Sequence, residues 1–121
     1  MAHTTTLPVL SASTLNGTSV HNTAGEDLGN VEDIMIDFSE GRVAYVVLSF
    51  GGFLGIGDKL FAVPLEALNL DTNHENVIFD ISKERLENAP GFDKNNWPTT
   101  PNYDWYNTIY SYYDIDPYWA S

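Results

Sequence analysis

The chain has 121 residues, enough for one domain, and 43% of them are hydrophobic, so it can bury a core without staples. It has no cysteine, which excludes disulfides, thiolate metal sites and cysteine nucleophiles together. Seventeen acidic residues against five basic ones leave a net charge of −12, a field that repels nucleic-acid phosphates and anionic membrane surfaces alike.

Residues 1–8 are polar, with neither the cationic start nor the apolar core of a secretory leader. No apolar run approaches the ~18 residues of a membrane span. The expectation is a cytoplasmic protein with no membrane insertion. The stretch "SASTLNG" (11–17) has a serine cap and a glycine stop, enough for one helical turn. Val20 begins a short strand that ends in "NTAGE" (22–26), where Gly25 offers the positive φ of a hairpin turn. Ile34, Ile36 and Phe38 alternate with Met35 and Asp37, the period of a strand. Gly29-Asn30 breaks the phase between Leu28 and Val31, which predicts a bulge or sharp bend. After the turn "SEG" (39–41), "RVAYVVLSF" (42–50) is apolar on both alternating faces, as in a strand covered from both sides.

A glycine-rich loop follows, and "KLFAVP" (59–64) reads as a short strand stopped by proline. Residues 65–71 suit a turn and another short strand, and "VIFDI" (77–81) alternates again. Ser82 caps a brief helix, "KERLENA", stopped by Pro90-Gly91. Five or six short strands with turn chemistry between them make a small barrel or sandwich, and closure is favoured because a free sheet edge invites aggregation. The composition then changes. From Phe92 onward the chain holds ten of its sixteen aromatic residues, including all three Trp and six of seven Tyr. Thr100-Pro101 has the form of a cap followed by proline at the first helical position. Tyr103, Tyr106, Tyr110 and Tyr113 recur at 3-4-3 spacing beside a second stripe of Trp105, Ile109 and Tyr112. This spacing predicts a helix near 101–113 with a broad aromatic side, ended by Pro117.

The glycine loop "SFGGFLGIGDKL" raises the question of phosphate binding. Gly52 and Gly57 have the separation of a phosphate loop, but Asp58 occupies the lysine position and would repel the anion. The dinucleotide pattern fails too, since a strand follows the glycines in place of a helix. Three large apolar residues, Phe53, Leu54 and Ile56, ride on this loop and must pack on the chain itself or on a partner. His3, His21 and His74 form no zinc-type spacing, and residues 71–75 lack the glycine and distal glutamate of a calcium loop. There is no GxSxG elbow, and Glu26/Asp27 and Glu32/Asp33 are adjacent on strands and point to opposite faces. Asp33, Asp37 and Asp80 fall among apolar residues, with turn capping or pairing to Arg42 or Lys59 as the expected use. No catalytic residue, metal ligand or cofactor site is expected.

The segment from Asn16 to Leu68 resembles the PRC-barrel family. The family takes its name from the cytoplasmic domain of the photosynthetic reaction-centre H subunit, and it also supplies the C-terminal domain of a bacterial ribosome-maturation factor. The matching positions are Gly17, Val20, Gly25, Leu28-Gly29, Val31, Asp33, Ile36-Asp37, Gly41 and Val43-Ala44-Tyr45, then Phe50-Gly51-Gly52, Gly55, Lys59 and Val63-Pro64. The likeness covers roughly residues 9–88, and it is strongest to stand-alone bacterial members that share "SFGGFLGIGDKLFAVP" and a tail like "PGFDKNNWP". The resemblance implies a six-stranded barrel used for protein–protein assembly, with no catalytic residues to carry over.

The expectation is therefore an all-β chain, a small six-stranded PRC-type β-barrel over 9–88 with a short helical aromatic tail over 89–121. Its expected role is a non-enzymatic adaptor or scaffold. The expected partner interface is Phe53, Leu54 and Ile56 from the loop with Trp105, Tyr106, Ile109, Tyr110 and Tyr113 from the tail. The partner is another protein or a second copy in a homodimer, with no nucleic acid involved. The alternative is a small hydrophobic or quinone-like ligand in a cleft between barrel and tail.

Overall fold

The computed structural model describes residues 10–50, 59–71, 76–93, 96–98 and 102–120. The glycine loop, with Phe53, Leu54 and Ile56, lies outside the described residues, as do Thr100 and Pro101.

Local chemistry sets the elements. Helix α1 (Ala12–Leu15) starts where the Ser11 hydroxyl accepts the Thr14 N–H. Strands β1 (Ser19–His21) and β2 (Asp27–Asp37) form a hairpin, with Val20 opposite Gly29 and His21 opposite Asp27. Leu28 is thus the extra residue of a bulge, where the broken phase predicted one. Gly29 has φ of +101°, and a Cβ there would lie 2.1 Å from the Ser49 carbonyl oxygen. Only glycine lets the two backbones approach so closely.

The turn before β2 is closed by one side chain. Asn22 is buried, and its amide donates to Glu26 Oε1 at 2.8 Å and to the Ile81 carbonyl at 3.0 Å. Its oxygen accepts the N–H groups of Ala24 and Glu26. Four bonds satisfy this amide and tie the hairpin to the chain after the last inner strand.

β2 runs against β3 (Arg42–Phe50), and β3 against β4 (Lys59–Val63). A 3₁₀ turn (Leu65–Ala67) leads to β5 (Leu68–Asp71), which pairs with β6 (Asn76–Phe79). β6 lies parallel to β1, Val77 beside Val20. Ser82 caps α2 (Lys83–Glu87), its hydroxyl accepting the Arg85 N–H. β7 (Gly91–Asp93) then joins β4. The order is β5-β6-β1-β2-β3-β4-β7.

The expected closed barrel of six strands is corrected on both counts: among the described residues there are seven strands, and the outermost two, β5 and β7, share no ladder. The seventh strand is three residues long, too short for an alternation to register, and Gly91 opens it instead of stopping α2. Asn88 ends that helix.

Two cores result. The first lies inside the curved sheet, where Val20, Leu28, Val46, Leu48, Phe61, Phe79 and Leu86 meet. The second covers the other face of β3 and β4 with the aromatic tail, α3 (Tyr103–Tyr112) and a 3₁₀ turn (Tyr118–Ala120). β3 serves both, as its two-sided apolar pattern predicted: Val46 and Leu48 face the first core, Val47 the second. Ala44 and Tyr45, neighbours in sequence, both reach the second core. The ladder shifts between Met35 and Ile36, which face Tyr45 and Val43, leaving Ala44 as the extra residue that re-aims the strand.

Candidate functional site

The tail is held by its own sheet through one carboxylate. Asp37 ends β2 and is 4% exposed. Its Oδ1 accepts the N–H groups of Ser39 and Glu40, shaping the β2–β3 turn. Its Oδ2 accepts the hydroxyls of Tyr103 at 2.9 Å and Tyr118 at 2.8 Å. These tyrosines stand at the two ends of the tail, so a single side chain clamps both. Burial alone would raise the Asp37 pKa, but the Tyr118 and Tyr103 hydroxyls and the two turn N–H groups outweigh it and hold the carboxyl below its ordinary range. The reciprocal effect, added to burial, pushes the Tyr118 phenol up. The Arg42 guanidinium lies 5.0 Å from the Tyr118 ring and pairs with Glu66 at 3.4 Å. Asp37 is therefore a turn cap, as expected, but its further partners are phenols and not Arg42.

Between the clamped ends, rings fill the seam. Tyr106, Ile109 and Tyr110 are buried against Ala44, Tyr45, Val47, Leu60 and Ala62. Tyr45 meets Trp105 edge-on at 5.4 Å, and Trp119 packs against Tyr103, Tyr106, Tyr110 and Tyr118. The Tyr110 hydroxyl donates to the Ala44 carbonyl at 2.7 Å, using the bulge residue as its anchor. Burial, with the neighbouring Tyr106, pushes the Tyr45 phenol up to about 12.

Tyr106, Ile109 and Tyr110, expected to face a partner, are thus already covered by the chain's own sheet. Trp105 and Tyr113 keep part of their surface in water. Tyr118 and Trp119 follow Pro117, beyond the predicted helix, and no spacing in the sequence marks them for the seam they fill. Two apolar residues go the other way: Ile36 is 53% exposed and Phe38 92% exposed, although their alternation is that of a core strand.

The helix caps also differ from expectation. Asn102, not Thr100, is the cap, its side chain accepting the Trp105 N–H. The helix ends well before Pro117. Ile115 N–H bonds to the Tyr110 carbonyl and Asp114 N–H to the Ser111 carbonyl, a Schellman closure with Asp114 at φ of +62°. Beside this closure a cleft of about 330 Å³ opens between the sheet and the tail. Phe79 and Ile81 form its buried floor, Tyr113 and Ile115 its tail wall, and exposed Asp80, Arg85 and Asp114 its rim. The Arg85 guanidinium is committed elsewhere: it donates to the Tyr112 carbonyl and stacks 4.9 Å from the Tyr112 ring. The Tyr113 hydroxyl is buried with no hydrogen-bond partner among the described residues. No three metal-type side chains gather among the described residues, and no helix among them is long and apolar enough to cross a membrane.

The model of the PRC-barrel domain family matches residues 8–86. Among solved structures the chain is similar to RimM from Pseudomonas aeruginosa, described as a 16S ribosomal RNA processing protein. The likeness is 17% in sequence, covers 64% of this chain and 47% of that one, and has a TM-score of 0.43. This chain thus spans about half the length of that protein. No curated protein matches. The family match takes in the strands β1 to β6 and most of α2, well over half of the residues, and the chain belongs to the PRC-barrel domain family.

Proposed function

We propose that this chain is a non-enzymatic interaction module, an adaptor or scaffold of the cytoplasm, that meets another protein or a second copy of itself at the β2–β3 end of its sheet. One observation carries the reading. Phe38 stands 92% exposed at a tight turn, with Ile36 half-exposed two residues before it on the same line of the strand. The turn itself needs neither: it is held by the Asp37 carboxylate and by the Gly41 N–H on the Asp37 carbonyl at 2.8 Å. Asp37, between the two apolar residues, points the opposite way and is locked under the tail. The tail thus stiffens the hairpin from behind, which lowers the entropy lost when a partner orders it. Phe53, Leu54 and Ile56 of the glycine loop, which follows β3 at the end away from this turn, and the exposed parts of Trp105 and Tyr113 are proposed as a separate contact. The net charge of −12 favours a basic partner and speeds its approach.

The test is a double variant, Ile36→Ser with Phe38→Ser. Both positions are exposed, so melting temperature holds, while self-association by light scattering, or a partner identified by cross-linking in native lysate, is lost. A partner or dimer retained by the folded variant overturns this surface.

A second reading is supported by the cleft between sheet and tail. Its size suits a small ligand, hydrophobic or quinone-like, and a rise in melting temperature with no change in oligomeric size distinguishes it from the first.

A further inference from the structure

The cleft rim carries a charge at odds with its place in the fold. Asp114 occupies the left-handed position that closes a helix, a conformation that glycine adopts freely and that asparagine and aspartate tolerate. It also sets a negative charge at the negative end of the α3 dipole, where a cation would be favoured. A charge set against the helix's own preference is expected where a site needs it more than the fold does.

The rest of the cleft gives the charge a use. Asp80, opposite Asp114 on the sheet side, takes a hydrogen bond from the Thr23 hydroxyl at 3.1 Å and is otherwise free to meet a ligand. Asp114 takes no hydrogen bond or ion pair through its carboxylate among the described residues. Arg85, the rim's cation, makes no ion pair with either and has its guanidinium on the Tyr112 carbonyl and ring. Below the rim, the Phe79 and Tyr113 rings meet at 5.4 Å and Ile81 and Ile115 complete an apolar floor and wall. Two carboxylates, Asp114 unpaired and Asp80 with one hydrogen bond, beside aromatic rings match an organic ammonium: charge pairing at the rim and apolar and aromatic contact below.

We infer that the cleft between Phe79–Ile81 and Tyr113–Ile115 binds a small organic ammonium with an apolar body, paired by Asp80 and Asp114. This rests on the second reading above, that the cleft holds a small molecule, and gives that molecule its charge.

The test titrates the full chain with three probes of one shape, phenethylamine, phenylpropionate and phenethyl alcohol, by calorimetry and by amide shifts of Ile81 and Ile115. The amine is expected to bind most tightly, with shifts at both residues. Asp114→Asn keeps the left-handed closure while removing the charge, so it should hold or raise the melting temperature and weaken the amine by at least about tenfold. Asp80→Asn should weaken it in the same sense. Equal or tighter binding of the alcohol, or an unchanged amine affinity in Asp114→Asn, overturns the ammonium and leaves the cleft as a site for a neutral ligand. No shift at Ile81 and Ile115 with any probe overturns both.

Discussion

Tyr118 donates its hydroxyl to Oδ2 of Asp37 at 2.8 Å, joining positions 81 residues apart. Tyr103, the first residue of α3, reaches the same oxygen. The carboxylate that shapes the β2–β3 turn therefore also decides where the tail lies, and turn and tail stand or fall together.

Removing one donor should show this coupling. Tyr118→Phe deletes a buried bond to a charged acceptor and should cost about 2 kcal/mol in urea unfolding. Tyr103→Phe should destabilise in the same direction. Combined with Asp37→Asn, each change should add less than its cost alone, and a double-mutant cycle with full additivity would count against a shared clamp.

The same carboxylate predicts an acid response. Its folded pKa is depressed, so its stabilisation is fully present above the ordinary value near 3.8 and is lost as pH falls through the lower folded value. The stability gap between wild type and Asp37→Asn should stay level above about pH 5 and shrink towards about pH 1. A gap that widens on acidification would contradict the depressed pKa. Urea midpoints across that range read it directly.

Gly29→Ala should be among the most damaging single changes. The added Cβ meets the Ser49 carbonyl oxygen at 2.1 Å, and both groups are backbone in the middle of a sheet. With φ of +101° the strain adds to the clash, for a loss of about 3 kcal/mol or more. Thermal and urea unfolding would each record it. By contrast Gly25→Ala meets no neighbour within 4 Å and bears only the strain of its positive φ.

Tyr113→Phe should do no harm to the free protein. The hydroxyl is buried without a partner, so its deletion should leave stability within about 1 kcal/mol of wild type or raise it. A loss beyond that would mean the hydroxyl is satisfied in solution.

Much of the local structure was legible because it depends on neighbours in sequence. Ser11 and Ser82 cap their helices as expected, Gly29 sits in the predicted bulge, and residues 42–50 form the strand covered on both faces. The helix ends were harder. Pro117 marks where α3 cannot continue, but the closure at Tyr113–Asp114 comes earlier, at an aspartate and not at the glycine that most often signals it. Asn102 caps α3 although the preceding Thr100-Pro101 carries the stronger cap pattern in sequence.

Sequence alone determined the alternation of strands, the caps at Ser11 and Ser82, the bulge and the family, since each is written in residue types a few positions apart. Tertiary structure decided which apolar residues are covered. Ile36 and Phe38 carry the same alternation as Ile34 but run past the layer that would bury them, while Tyr106 and Tyr110 are covered by their own sheet. Periodicity marks the face a side chain shares, and only the placement of the opposing layer, set here by Asp37 and two distant phenols, says whether anything lies against it.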